Sequence, residues 1–225
     1  DATMGAVAMD ALGTGWITAR QSDLQRAGVM VGVVVALRRL HGSDPLPLRF
    51  DPFAQVDALV AALEAEGVPL PDDILWLRAV TDLLRPLLDG PLVPCRNDGS
   101  CSNLMIGPGD RVMLVDYDRA GMNDPLYDLG CVMAELTDHE DEMAPVFAAY
   151  AGSDDPVGFA RARLWSHVDD LLHALWARRM ARRSERRSVE WIKYGEWRLL
   201  RLRLALRHPG YEARVRLVLG EGVGR

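Results

Sequence analysis

The stretch Leu92–Gly130 limits the fold of this chain more than any other. Short apolar runs, Leu92-Val93-Pro94, Leu104-Met105-Ile106 and Val112–Val115, alternate there with Gly, Pro, Asn and Asp, while helical spacing dominates on both sides. The pattern predicts small β structure around a loop-rich core, with Gly107–Asp110 as the turn of a hairpin. Helices are predicted before it, over about residues 22–41, 57–66 and 72–88, and after it, from about Asp128 to the end. Val7–Leu12 reads as a strand followed by the turn Gly13-Thr14-Gly15. The expected fold class is α+β, mainly α-helical.

The polar residues of this stretch carry a chemistry. Asp98 and Asn103 stand five residues apart in a turn-rich loop, and Asp116 follows thirteen residues later at the end of an apolar β run. Its carboxylate should emerge at a strand end near that loop. Phosphoryl transfer needs a carboxylate to orient the attacking hydroxyl and accept its proton. It also needs a second carboxylate and a neutral amide oxygen to hold Mg²⁺ on the phosphates. Hard oxygen ligands suit Mg²⁺ and not Zn²⁺.

In order and spacing, Asp98…Asn103…Asp116-Tyr-Asp118…Asn123-Asp124-Pro-Leu-Tyr-Asp128-Leu resembles the catalytic and metal-binding loops of the choline/ethanolamine kinase and aminoglycoside phosphotransferase family, which shares the protein-kinase-like fold. The resemblance implies that Asp98 is the catalytic base and Asn103 and Asp116 are Mg²⁺ ligands. It makes Asp118 a second acidic position at the metal and Asp128 a buried brace of the catalytic loop. One departure is visible: the family has His where this chain has Arg96, which bears on the geometry of the loop.

The flanks extend the resemblance. Leu37-Arg38-Arg39-Leu40-His41 is similar to the end of an early large-lobe helix, with His41 structural. Residues 7–13 resemble the hinge strand, whose backbone would bond adenine at Met9 and Ala11. His173-Ala-Leu-Trp176 and Trp191-Ile-Lys-Tyr194-Gly-Glu-Trp-Arg198 look like the late aromatic helices of choline kinases. There, aromatic faces and acids hold an ammonium group by cation–π attraction. Trp176, Trp191 and Tyr194, with Asp169 or Asp170, are the corresponding substrate-binding candidates. The alternative is that these aromatics pack a core.

The family's small N-terminal lobe, with its glycine-containing phosphate loop and lysine, has no counterpart in the sequence. Residues 1–15 are read as a hinge remnant and 16–225 as one domain, the kinase-like C-terminal lobe. Of 26 cations, 25 are arginine. The one lysine, Lys193, lies about 95 residues after Asp98 and cannot replace the small-lobe lysine in chain order. Taken alone, such a chain is expected to bind Mg-ATP poorly.

The expected activity is ATP- and Mg²⁺-dependent phosphorylation of a hydroxyl on a small amino alcohol. Choline or ethanolamine is favoured, and an aminoglycoside or thiamine is left open. The alternative is a non-catalytic kinase-like binding or scaffold module, degenerate or truncated. A net charge of −6 argues against nucleic acid as partner, and the basic run Arg178–Arg187 reads as a solvated helix end. The apolar run Val29–Leu37 is too short for a membrane span. Cys95, Cys101 and Cys131 show no metal spacing and read as reduced thiols in a cytoplasmic protein. A homodimer is left open.

Overall fold

Three of the longer helices begin at an Asp-Pro pair. Asp51, Asp124 and Asp155 each accept hydrogen bonds from backbone N–H groups of the first turn, and the following proline sits where no N–H is needed. The computed structural model describes residues 11–220 apart from 187. In chain order the elements are β1 (Ile17–Thr18), α1 (Gln21–Leu24), α2 (Ala27–His41), α3 (Pro52–Ala65), α4 (Ile74–Asp82), β2 (Val93–Cys95), β3 (Leu104–Gly107), β4 (Arg111–Leu114), β5 (Gly121–Asn123), α5 (Pro125–Leu136), α6 (Glu140–Ala151), α7 (Pro156–Arg183), α8 (Trp191–Arg207) and α9 (Gly210–Val218). No helix among the described residues is long and apolar enough to cross a membrane.

The mainly helical fold with small strands at its middle agrees with the sequence. The strands form two antiparallel sheets, β1-β3-β4 and β2-β5, with Leu104 opposite Leu114 and Cys95 opposite Gly121. The polar loop leaves β2 and enters β3, so both of its ends are tied into paired strands. Gly107–Asp110 turns the β3–β4 hairpin as expected, with Gly109 and Asp110 at positive φ.

Burial follows helical spacing. Val29, Met30, Val33, Val34 and Leu37 of α2 pack with Leu104, Ile106 and Leu114 of the hairpin and with Leu129, Val132 and Met133 of α5. A second cluster joins α3 and α4 to Leu171, Leu172 and Leu175 of α7 and Leu199 and Leu202 of α8. The 28-residue α7 runs through the domain and is almost wholly buried from Ala160 to Ala177.

Several element bounds differ from expectation. The first predicted helix is two, because α1 ends at Leu24 and α2 starts at Ala27. The second starts at Pro52, five residues early, because Asp51 caps it. The third ends at Asp82 and continues as a 3₁₀ turn over Arg85–Leu87, since Pro86 cannot donate the next helical bond. Residues 7–10 of the expected hinge strand, Met9 among them, lie outside the described residues. Ala11 and Leu12 are exposed and outside any strand, and pairing begins at Ile17–Thr18 against Met105 and Ile106.

The α5–α7 crossing depends on Gly130, where a Cβ would overlap the Ala162 carbonyl. The Cβ would be fixed to the backbone of α5 and the carbonyl belongs to the backbone of α7, so neither can yield alone. Gly130→Ala is expected to destabilise the fold by about 1–3 kcal/mol, as overpacking does, despite alanine's better helix propensity. Thermal or urea denaturation would check this, and an unchanged or raised stability would contradict it.

Candidate active site

The polar loop is held by one buried carboxylate. Asp128, in the first turn of α5 and 1% exposed, accepts the backbone N–H of Arg96 at 2.8 Å and of Asn97 at 2.7 Å. His41 at the end of α2 lies 3.2 Å from the same carboxylate, and its other ring nitrogen lies 2.7 Å from the Tyr150 hydroxyl. Asn97 takes the left-handed conformation, φ 59°, which Asn tolerates better than most residues. Its buried amide donates to the Arg119 carbonyl at 2.9 Å and accepts from Asn123 at 2.8 Å. His41, Cys95 and Asp128 also bring potential metal-binding atoms within 4.8 Å of one another. Burial keeps the Cys95 thiol protonated, however, and it donates to the Asn123 carbonyl, while Asp128 is already bonded to N–H groups, so His41 and Asp128 act as a hydrogen-bonded brace beside Cys95.

Arg96, where the resemblance expects His, is fully buried. Its guanidinium donates to the carbonyls of Asn103 at 2.6 Å, Val115 at 3.3 Å and Asp98. The substitution therefore leaves the loop anchored, with the anchor bonded directly to the backbone of both functional segments.

This framework sets the positions of the acidic groups. The half-buried Asp98 accepts Ser100 N–H at 2.8 Å and the Asn103 amide at 2.6 Å. Asp116 follows β4 at φ 63°, and it and Asp118 are exposed. Asp98, Asn103, Asp116 and Asp118 line one cleft of about 790 Å³ together with Trp176, Trp191 and Tyr194, within the usual size of small-molecule sites. Trp176 and Trp191 meet edge to face at 5.2 Å. Seven of the sequence candidates thus come together, from two loops and two distant helices.

Asp169 and Asp170 are not among the lining residues. Asp169 is buried, accepts the Tyr127 hydroxyl at 2.5 Å and pairs with Arg198. Burial alone would raise its carboxyl, but His173, Arg198, Arg119 and the Tyr127 hydroxyl hold it well below the usual carboxylate range. Asp170 lies 2.7 Å from Arg198 Nε, and burial raises its pKa despite Arg198 and Arg201. Ala11 is exposed and does not line the cleft either.

Several cleft residues were not among the sequence candidates: Arg119 and Glu190, and also His173, Lys193 and Trp197, which lie in the segments already singled out. Trp197 was legible, since Trp191, Tyr194 and Trp197 recur at a helical three-residue interval. Arg119 carried no periodic signal, and only the fold brings it 2.6 Å from His173. Lys193 is exposed, pairs with Glu190 at 3.0 Å and stands at the rim. The cysteines are no nucleophiles at neutral pH: burial pushes Cys101 up to about 11 and Cys95 and Cys131 higher.

The profile of the Phosphotransferase enzyme family (APH) matches residues 2–165. The chain belongs to that family. Among solved structures, this chain is similar to a choline/ethanolamine kinase family protein from Mesorhizobium loti, with TM-score 0.82, 27% identity, and coverage of 91% of this chain and 72% of that one. It also resembles the choline kinase LicA from Streptococcus pneumoniae, with TM-score 0.70, 18% identity, and coverage of 85% and 68%. An aminoglycoside phosphotransferase from Streptomyces rimosus is more distant, with TM-score 0.53, 23% identity, and coverage of 69% and 66%. A search of curated proteins finds no match.

Two expectations follow. Arg96→Met would leave the Asp98 and Val115 carbonyls without this donor, while the Asn103 carbonyl keeps the Val115 N–H at 3.1 Å. Buried unpaired polar groups cost about 1–3 kcal/mol each, so a loss of about 2–6 kcal/mol is expected in chemical denaturation, partly restored in Arg96→Lys. The second concerns acid. Burial lowers His173 from 6.5 to about 4, against the opposing pull of Asp169. The unfolded chain then binds a proton that the folded chain refuses. Stability should be complete above pH 6.5 and fall as pH drops from 6.5 towards 4. His173→Gln should flatten that part of the stability–pH curve, and an unchanged slope would refute the assignment.

Proposed function

We propose that this phosphotransferase moves the γ-phosphoryl group of ATP to the hydroxyl of a small amino alcohol, with choline or ethanolamine as the favoured acceptor. The observation that carries the reading is the single cleft shared by Asp98, Asn103, Asp116 and Asp118 on one side and Trp176, Trp191 and Tyr194 on the other. On this reading residues 16–225 form the large lobe of a kinase-like fold and residues 1–15 belong to the hinge, with Met9 and Ala11 beside the nucleotide. The complex of LicA with AMP is an instance of a nucleotide held by a protein of this fold.

Asp98 sits where it can orient the acceptor. Its carboxylate is fixed by Ser100 N–H and the Asn103 amide, so it meets the substrate hydroxyl already aligned. The hydroxyl oxygen forms the new P–O bond, its proton passes to Asp98, and the bond from the γ-phosphorus to the bridging oxygen breaks to release ADP.

The donor set fits Mg²⁺. Asn103 donates through its amide nitrogen to Asp98, which leaves its amide oxygen as a ligand, and Asp116 and Asp118 add exposed carboxylates. These are hard oxygen donors with no sulfur or imidazole among them. Asn103, Asp116 and Asp118 would hold the ion, which when bound would neutralise phosphate charge.

The aromatic wall favours a compact ammonium group. Trp176, Trp191 and Tyr194 are only half-buried and can present ring faces to a cation, with Glu190 at the same cleft adding a negative charge. The arginine at position 96 does not favour the non-catalytic reading, since it anchors the loop.

A substrate panel with ATP and Mg²⁺ tests the proposal. Choline or ethanolamine should be phosphorylated in preference to aminoglycosides. Asp98→Asn should lower kcat by about 10²–10⁴-fold, the range for a lost general base. Trp191→Ala should raise KM for the amino alcohol with a smaller effect on kcat. Full activity in Asp98→Asn would overturn the assignment of the base.

A further inference from the structure

A second cavity, of about 390 Å³, lies among the α6 N-terminus, α7, α8 and α9 and shares no lining residue with the aromatic cleft. Its lining is unusual in charge and in hydrogen bonding. Arg163 and His167 from one face of α7, Arg201 from α8 and Arg214 from α9 converge on it. His167 is 2% exposed, and the Arg201 and Arg214 side chains are 10% and 11% exposed.

These donors are incompletely used. Among the described residues, His167 Nε2, Arg201 Nη1 and Arg214 Nε are buried with no hydrogen-bond partner. Buried polar groups are nearly always paired, so three orphaned atoms around one cavity call for a ligand or ordered water. Four carboxylates, Asp138, Glu140, Asp141 and Asp170, line the cavity as well, but they leave these three donor atoms unpaired. Glu140 offers one oxygen to two guanidiniums, at 3.2 Å from Arg163 and 2.7 Å from Arg214. Arg201 has its nearest carboxylate atoms at 3.6 Å, on Asp170, and 3.9 Å, on Asp138, both beyond hydrogen-bond reach. Asp138 is 80% exposed, where water screens its charge.

We propose that this cavity binds a small oxyanion of the phosphate or phosphate-monoester class, received by Arg201, Arg214 and the His167 ring. The planar guanidinium fork matches phosphate oxygens, and the burial of the donor atoms strengthens each charge-assisted bond. The surroundings of His167 agree: burial and then the charges of Arg163, Arg214 and Arg201 hold its pKa well below the ordinary value. The volume exceeds what inorganic phosphate needs, which leaves room for the carbon skeleton of a monoester. The assignment is independent of the reaction proposed for the other cleft.

The test is a titration of the full chain, with its histidines labelled with ¹⁵N, by inorganic phosphate, glycerol 3-phosphate and acetate near pH 7. The His167 ring signals should move saturably with both phosphates, more tightly with glycerol 3-phosphate if a monoester is the ligand and more tightly with inorganic phosphate if the free ion is. Calorimetry should show binding at least tenfold weaker in Arg201→Gln and Arg214→Gln and unchanged in the cleft variant Trp191→Ala. A His167 signal unmoved at about 10 mM phosphate, where even a 1 mM site would be nine-tenths filled, would overturn the proposal without recourse to any variant. Acetate bound as tightly as phosphate would overturn the ligand class. Binding lost in Trp191→Ala and kept in Arg201→Gln would place the anion in the other cleft.

Discussion

The two hydrogen bonds from the backbone of Arg96 and Asn97 to the buried Asp128 carboxylate fix everything else in the active-site region. A carboxyl group that far from water is tolerated only where hydrogen-bond partners are already aimed at it. Asp128 stands in the first turn of α5, which Asp124 and Pro125 start. Helix packing therefore sets the height of the loop. Tyr127, next in sequence, bonds Asp169 on α7, and Gly130 lets the two helices close. A loop of otherwise irregular conformation inherits the rigidity of a helix pair.

The loop is gripped through both kinds of backbone group. Asp128 takes N–H groups at its start, while the Arg96 guanidinium takes carbonyls at Asp98, Asn103 and Val115. One side chain thus bonds the segment carrying Asp98 and Asn103 and the segment leading to Asp116. Imidazole has two ring nitrogens and cannot serve three carbonyls. Arginine is a different solution to the same accounting of buried backbone groups.

The legibility of this architecture in the sequence tracks the range of the interactions involved. Asp98, Asn103 and Asp116 stand at fixed intervals between short apolar runs, and local spacing singled them out, whereas Asp128 was marked by its resemblance to a family motif. The hairpin turn at Gly107–Asp110 was readable for the same reason. Helix starts at Pro52 and Pro125 were missed by a few residues because apolar periodicity begins after the caps that define them. Asp169 and Asp170 illustrate the harder limit. Both lie on the same helix as Trp176, yet both are buried against Arg198 of α8, with Arg201 also near Asp170, and no spacing within α7 reveals that. Arg119 and His173 likewise meet only because the fold brings together positions 54 residues apart.

The near-absence of lysine has a consequence for the interior. Arg96, Arg163 and Arg198 are buried, and a guanidinium does not lose its proton in proteins. A lysine in any of these places would be drawn towards its neutral form by desolvation, and its charge would come and go with small movements of its neighbours. With arginine the positive scaffold is constant from acid to alkali. The enclosed imidazoles of His167 and His173, both held below the ordinary histidine value, stay neutral near pH 7 and take up protons only in acid, so the electrostatic frame is fixed through the neutral range.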